Sequence, residues 1–174
     1  MRKLIYQVMF DKLQKIGLID RNGQPVFKEH VKIVHKPYMD LSVDRLTSEH
    51  EGTIRISLAH NFIQNGDLMA DPDMEIRIYP DLKAIEALTY QLDSLGIYQV
   101  VFPEPGKVYS KRKTELNRFL NQWLTNLIDQ GFYLPQKIEH IEPLNEDQVL
   151  SIAQEYGKQC EKNRATIAPI IVGS

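Results

Sequence analysis

Asp71-Pro72-Asp73-Met74-Glu75-Ile76-Arg77-Ile78-Tyr79-Pro80-Asp81-Leu82-Lys83-Ala84-Ile85-Glu86 is the stretch on which the fold turns. Met74, Ile76 and Ile78 alternate with Glu75, Arg77 and Tyr79, a period of two that gives a strand one apolar and one polar face. Pro80-Asp81 turns the chain. Residues 84–92 contain helix formers, but the short distance from Pro80 to the Ser94-Leu95-Gly96 turn favours a strand returning antiparallel. A four-residue loop over 80–83 sets Tyr79 beside Ala84, and so puts Arg77 opposite Glu86 on one face.

Ile54, Ile56 and Leu58 alternate with Thr53, Arg55, Ser57 and Ala59, and His60 falls on the apolar side of that strand. Residues 61–73 read as a long connection with two turn-forming clusters, Asn65-Gly66-Asp67 and Asp71-Pro72-Asp73. Further strands are expected over 31–35 and 97–102, the latter stopped by Pro103-Glu104-Pro105-Gly106. Between Pro37 and a polar run over 47–52, the apolar patch 38–43 reads as an irregular strand and loop.

Two helices frame these strands. Leu4, Ile5, Val8, Met9, Leu13 and Ile16 recur at helical spacing before Gly17, and Leu116, Phe119, Leu120, Trp123, Leu124, Leu127 and Ile128 form a longer stripe, with Ser110 as N-cap and Gly131 as stop. Residues 135–143 read as a connector. Asn145 and Gln148 have the spacing of a capping box ahead of Val149, Leu150, Ile152, Ala153 and Tyr156, and 166–174 is an apolar tail able to dock. The expected fold is α+β: an antiparallel meander of about four or five strands against the long amphipathic helix, with amino- and carboxy-terminal helices at its edges. Residues 1–174 are expected to form one domain, with a core at 53–132 and a helical extension at 133–174.

The chain has 174 residues, 43% hydrophobic and 25% charged, the composition of an ordinary globular domain rather than a disordered chain. A net charge of −2 argues against a protein that coats nucleic acid. A lone cysteine, Cys160, excludes an internal disulfide framework and reads as a passive helix residue. The opening Met1-Arg2-Lys3 and the apolar run after it resemble a signal peptide superficially, but Gln7 interrupts the run and Asp11-Lys12 ends it, so a helix is expected. No apolar run is long enough for a membrane helix, and a cytoplasmic location is expected.

Two blocks carry a family resemblance. Residues 71–81 running into Ala84-Ile85-Glu86 resemble the central block of the YqiB-like family of uncharacterised bacterial proteins, in which Pro-x-Met leads into Arg-x-Tyr, then Asp, then a glutamate on the next strand. Lys113-Thr114-Glu115-Leu116-Asn117-Arg118-Phe119-Leu120-Asn121-Gln122-Trp123-Leu124 is similar to that family's Lys-x-x-x-Asn-x-Phe-Leu-x-x-Trp-Leu helix. The resemblance covers about residues 53–132. It implies a shared fold and marks Arg77, Tyr79, Asp81 and Glu86, without implying a reaction or ligand.

Three groups of residues are candidate sites. Arg77 and Glu86, with Tyr79 and Asp81 nearby, form either a bidentate pair that positions a ligand or an ordinary surface salt bridge. His60, Asp67, Asp71, Asp73 and Glu75 are oxygen- and nitrogen-bearing groups of the kind a divalent metal wants, or else turn and cap residues beside a core histidine. Lys107, Lys111, Arg112, Lys113 and Arg118 gather at the start of the long helix, where they either bind an anion or nucleic acid or form a solvated end. No phosphate-binding glycine loop, nucleophile elbow or dinucleotide fingerprint is present. The leading expectation is therefore a non-enzymatic binding or interaction module, with a protein partner or small anionic ligand and no cofactor. The alternative is a metal-assisted hydrolase or phosphoryl-transfer enzyme built on the acidic group, and nucleic-acid association is the weaker third.

Overall fold

A computed structural model describes residues 1–135 and 145–162, with side chains described as far as residue 158. The connector 135–143 beyond Pro135, the tail 166–174 and the Cys160 side chain lie outside the described residues. The chain divides into two compact units, Met1–Gln136 and Lys137–Ser174.

The first unit begins with α1 (Ile5–Ile16), which buries Met9, Phe10, Leu13 and Ile16 and ends at Gly17, whose φ of 90° suits only a residue without Cβ. Seven strands follow: β1 (His30–Ile33), β2 (Asp40–Leu46), β3 (Ile54–Gln64), β4 (Asp67–Tyr79), β5 (Ala84–Ala87), β6 (Thr89–Leu92) and β7 (Ile97–Val100). They form one antiparallel sheet in the order β1-β2-β3-β4-β6-β7, with β5 paired to β4. The unit closes with α2 (Ser110–Asp129), which buries Leu116, Leu120, Trp123, Leu124 and Leu127.

Alternation divides the strands between two environments. Ile54, Ile56 and Leu58 on β3 join Met74, Ile76 and Ile78 on β4 in one apolar cluster with the buried faces of α1 and α2. Lys12 ties the helices together, its Nζ donating to Asn121 Oδ1 and Thr125 Oγ1, each at 2.7 Å. Asn117, 2% exposed, ties α2 to the sheet. Its Oδ1 accepts the Ala87 N–H at 2.9 Å and its Nδ2 donates to the Lys113 carbonyl at 2.7 Å.

The second unit contains α3 (Glu146–Lys162). The capping box forms: the Gln148 N–H donates to Asn145 Oδ1 at 2.8 Å, and the Asn145 N–H to Gln148 Oε1 at 3.1 Å. Val149, Leu150, Ile152 and Tyr156 are each more than half exposed.

Several expectations need correction. The sheet has seven strands rather than about four or five, because residues from Asp40 onward form a regular strand, β2 (Asp40–Leu46), and because 84–92 breaks at Leu88 into β5 and β6. Residues 61–73 are hairpin rather than connection. The two-residue turn Asn65-Gly66, with φ of 53° and 86°, joins strands that extend to Gln64 and from Asp67. Asp71 and Pro72 hid this pattern; the register slips beside Ala59 and Asn61, and the resulting bulge accommodates a proline that cannot donate to the ladder. Ser110 is the first helical residue of α2 and Tyr109 is the N-cap, with no side-chain cap bond. Gly131 does follow the end of α2, at a φ of 88°.

Candidate functional site

The hairpin register places Arg77 opposite Glu86 and Tyr79 opposite Ala84. Both charged side chains are nearly covered, Arg77 being 14% exposed and Glu86 8%. They do not form the bidentate pair expected from their opposition, since the nearest approach, Arg77 Nη1 to Glu86 Oε1, is 3.6 Å. Tyr79 intervenes: its hydroxyl donates to the same Oε1. Burial, followed by smaller effects of Arg77 and Glu86 that oppose one another in part, raises the Tyr79 pKa, so the phenol keeps the proton that it donates.

A fourth residue completes the group. Asn117 holds the start of α2 against β5, and one turn earlier Lys113 extends its Nζ to 3.3 Å from Glu86 Oε2. Phe102 lies beneath both cations, its ring centre 5.9 Å from the Arg77 guanidinium carbon and 5.5 Å from Lys113 Nζ. The two motif blocks, separate in sequence, therefore converge at Glu86. Among the described residues Arg77 Nε is a buried donor without a hydrogen-bond partner.

These residues line a cleft of about 1080 Å³. Arg55 and Glu75 form an ion pair on its wall, and Leu4, Leu82, Tyr98 and Val108, all prominently exposed, contribute apolar surface. Asp81 does not join them; it is exposed in the turn after β4.

The acidic group disperses. His60 is on the apolar face, 5.4 Å from the Trp123 ring and 5.6 Å from that of Phe132, with Nδ1 at 3.3 Å from the Asp40 carbonyl. Burial lowers its pKa. His60 lines a separate pocket of about 240 Å³ with Asp71, Pro72 and Trp123. Asp67 is exposed at the hairpin tip, Asp71 Oδ1 accepts the Ser94 N–H at 3.1 Å, and Glu75 is engaged by Arg55. Burial, and then the neighbouring charges of Glu75, Asp93 and Asp44, push the Asp73 pKa up to about 6. Among the described residues no three His, Cys, Asp or Glu side chains are grouped to hold a metal ion.

The basic cluster also separates. Lys107 pairs with Glu104 at 2.6 Å, Lys111 approaches Glu115 at 3.9 Å, and Arg112 donates to the Val100 carbonyl at 3.3 Å over the Tyr109 ring. Lys107 and Lys113 both line the cleft, and Arg118 is exposed on α2. Lys113, expected as part of the basic helix start, thus also neighbours Glu86, a contact that its sequence spacing does not signal.

A family model described as "Domain of unknown function (DUF6908)" matches residues 7–133. The chain belongs to this family. The DUF6908 match runs from α1 to just beyond α2, taking in every strand and each of Arg77, Tyr79, Glu86 and Lys113. It extends through β1 and β2, which the YqiB-like resemblance left out. No curated protein and no solved structure matches the chain. No helix among the described residues is long and apolar enough to cross a membrane.

Proposed function

We propose that the chain is a non-enzymatic, cytoplasmic binding module whose cleft beside Arg77, Tyr79, Glu86 and Lys113 receives a small molecule. One observation carries this reading: exposed apolar side chains gather around a nearly buried ion network inside a concavity of about 1080 Å³. Soluble proteins rarely leave such surface open without use, and apolar walls with a few convergent polar groups are the usual make-up of a ligand pocket. Metal-assisted chemistry would need His60 near the carboxylates of the polar face, and His60 is packed on the opposite face. Kinship with the YqiB-like bacterial proteins is part of the same proposal and rests on the two motif blocks.

The test is shift mapping of the isotope-labelled full chain against a fragment collection that mixes neutral, anionic and cationic members. Hits are expected to displace amide signals of Leu82, Tyr98, Phe102 and Val108 together. Shifts scattered over the surface, or confined to the pocket beside His60, would overturn the reading.

A further inference from the structure

We infer that the ligand of this cleft is an amphipathic monocarboxylate, its carboxylate held between Arg77 and Lys113 and its apolar body lying along Phe102 and Tyr98. The inference rests on the binding role proposed above and specifies the chemistry of the site.

Four Lys or Arg side chains and four Glu side chains line the cleft. Most of these charges are already engaged. Lys107 is with Glu104 at 2.6 Å, and Arg55 is paired with Glu75 and lies 3.7 Å from Glu49. That leaves Arg77 and Lys113 sharing Glu86, two cations to one carboxylate. Glu86 spends its short hydrogen bond on Tyr79, and its contacts with the cations are 3.6 Å and 3.3 Å. Donors therefore exceed acceptors at this end of the cleft. A ligand carboxylate supplies both the missing charge and the missing acceptor oxygens.

The remaining glutamates limit how much negative charge the cleft accepts. A dianion or polyphosphate would bring excess charge close to Glu75, Glu86 and Glu104, so one carboxylate matches the site better than a phosphate ester. The body of the ligand follows from the walls: Tyr98 is 64% exposed, Leu82 65% and Val108 46%. Lys113 is the adjustable member, 34% exposed against 14% for Arg77, and it can turn towards a ligand while Arg77 remains packed.

The experiment titrates the labelled full chain with 3-phenylpropionate, 3-phenylpropionamide and phenyl phosphate. The carboxylate is expected to bind in the cleft roughly tenfold more tightly than the amide, the effect of about one charge-assisted contact, and more tightly than the phosphate. Lys113→Gln should remove most of that advantage, and Lys113→Arg should restore it. An amide or phosphate that binds as tightly as the carboxylate would overturn the inference while leaving the cleft a ligand site. If none of the three shifts a cleft resonance, the binding role is overturned as well.

Discussion

The two faces of the β3–β4 hairpin are made from the same strands and share every backbone hydrogen bond, yet they do different work. On one face Ile56, Leu58, Met74, Ile76 and Ile78 are fully buried beneath α1 and α2. On the other, Arg55, Glu75, Arg77 and Tyr79 form a polar network that is only partly covered and opens into the cleft. The apolar face derives its stability from area removed from water, which is non-directional and tolerant of small shifts. The polar face depends on partners: Arg77, Glu86 and Lys113 are acceptable where they are because each answers another. Stability and recognition are thus segregated by the parity of residue number.

The largest way to sharpen this contrast is to open a cavity on the apolar face. Ile76→Ala is expected to cost about 3 kcal/mol in denaturant unfolding, since Ile76 is fully buried in the apolar cluster that α1 and α2 share with the sheet. A loss below ~1 kcal/mol would mean that the helices do not close over the sheet as tightly as described.

Next in size is Glu86→Gln, expected to cost about 2 kcal/mol by leaving two cations without their carboxylate. The cycle with Arg77→Met should give a double mutant less damaged than the sum of the singles; additive small effects would reduce the pair to a surface salt bridge. Tyr79→Phe removes one hydrogen bond to Glu86 and is expected to cost about 1 kcal/mol, measured in the same way.

The smallest effect distinguishes the faces by pH. Asp73, on the polar face, has its pKa raised from 3.8 to about 6. The folded state then holds this proton more firmly than the unfolded one, so the contribution favours folding at low pH and declines as pH rises from near 4 to 6. His60, on the apolar face, has its pKa lowered by burial, so its contribution is present at neutral pH and is lost as pH falls below 6.5. Melting temperatures of Asp73→Asn should therefore exceed wild type at pH 8 and converge with it near pH 4. His60→Gln should flatten the acid limb of the profile. If either variant moves the profile in the opposite direction, the burial assigned to that side chain is wrong.

How much of this was legible depended on whether a signal was local. Gly17, Gly131, the Asn145–Gln148 box and the Arg77–Glu86 register could be read because a helix stop, a cap and a loop length are each set by a few neighbouring residues. In the arm 61–73, Asp71 and Pro72 carry the signal of turn formers although they sit at a bulge within a hairpin. The two-residue Asn65-Gly66 turn is a hairpin signal in its own right, which the bulge farther along the strands obscures. Tyr98 lies on β7 as its pattern predicts and Phe102 just past it, yet nothing in their spacing says that both line the cleft.

By itself the sequence determined the alternation of each strand, the stripes of the helices and the facing of Arg77 and Glu86, because these follow from backbone periods of two and 3.6 residues. The packing of distant segments settled that Lys113 reaches Glu86 across the α2–β5 contact, that Tyr79 takes the hydrogen bond Arg77 would have had, and that His60 faces Trp123 and Phe132. Those outcomes depend on where distant segments are brought together, and the packing of helices on a sheet settles that at distances no local spacing encodes.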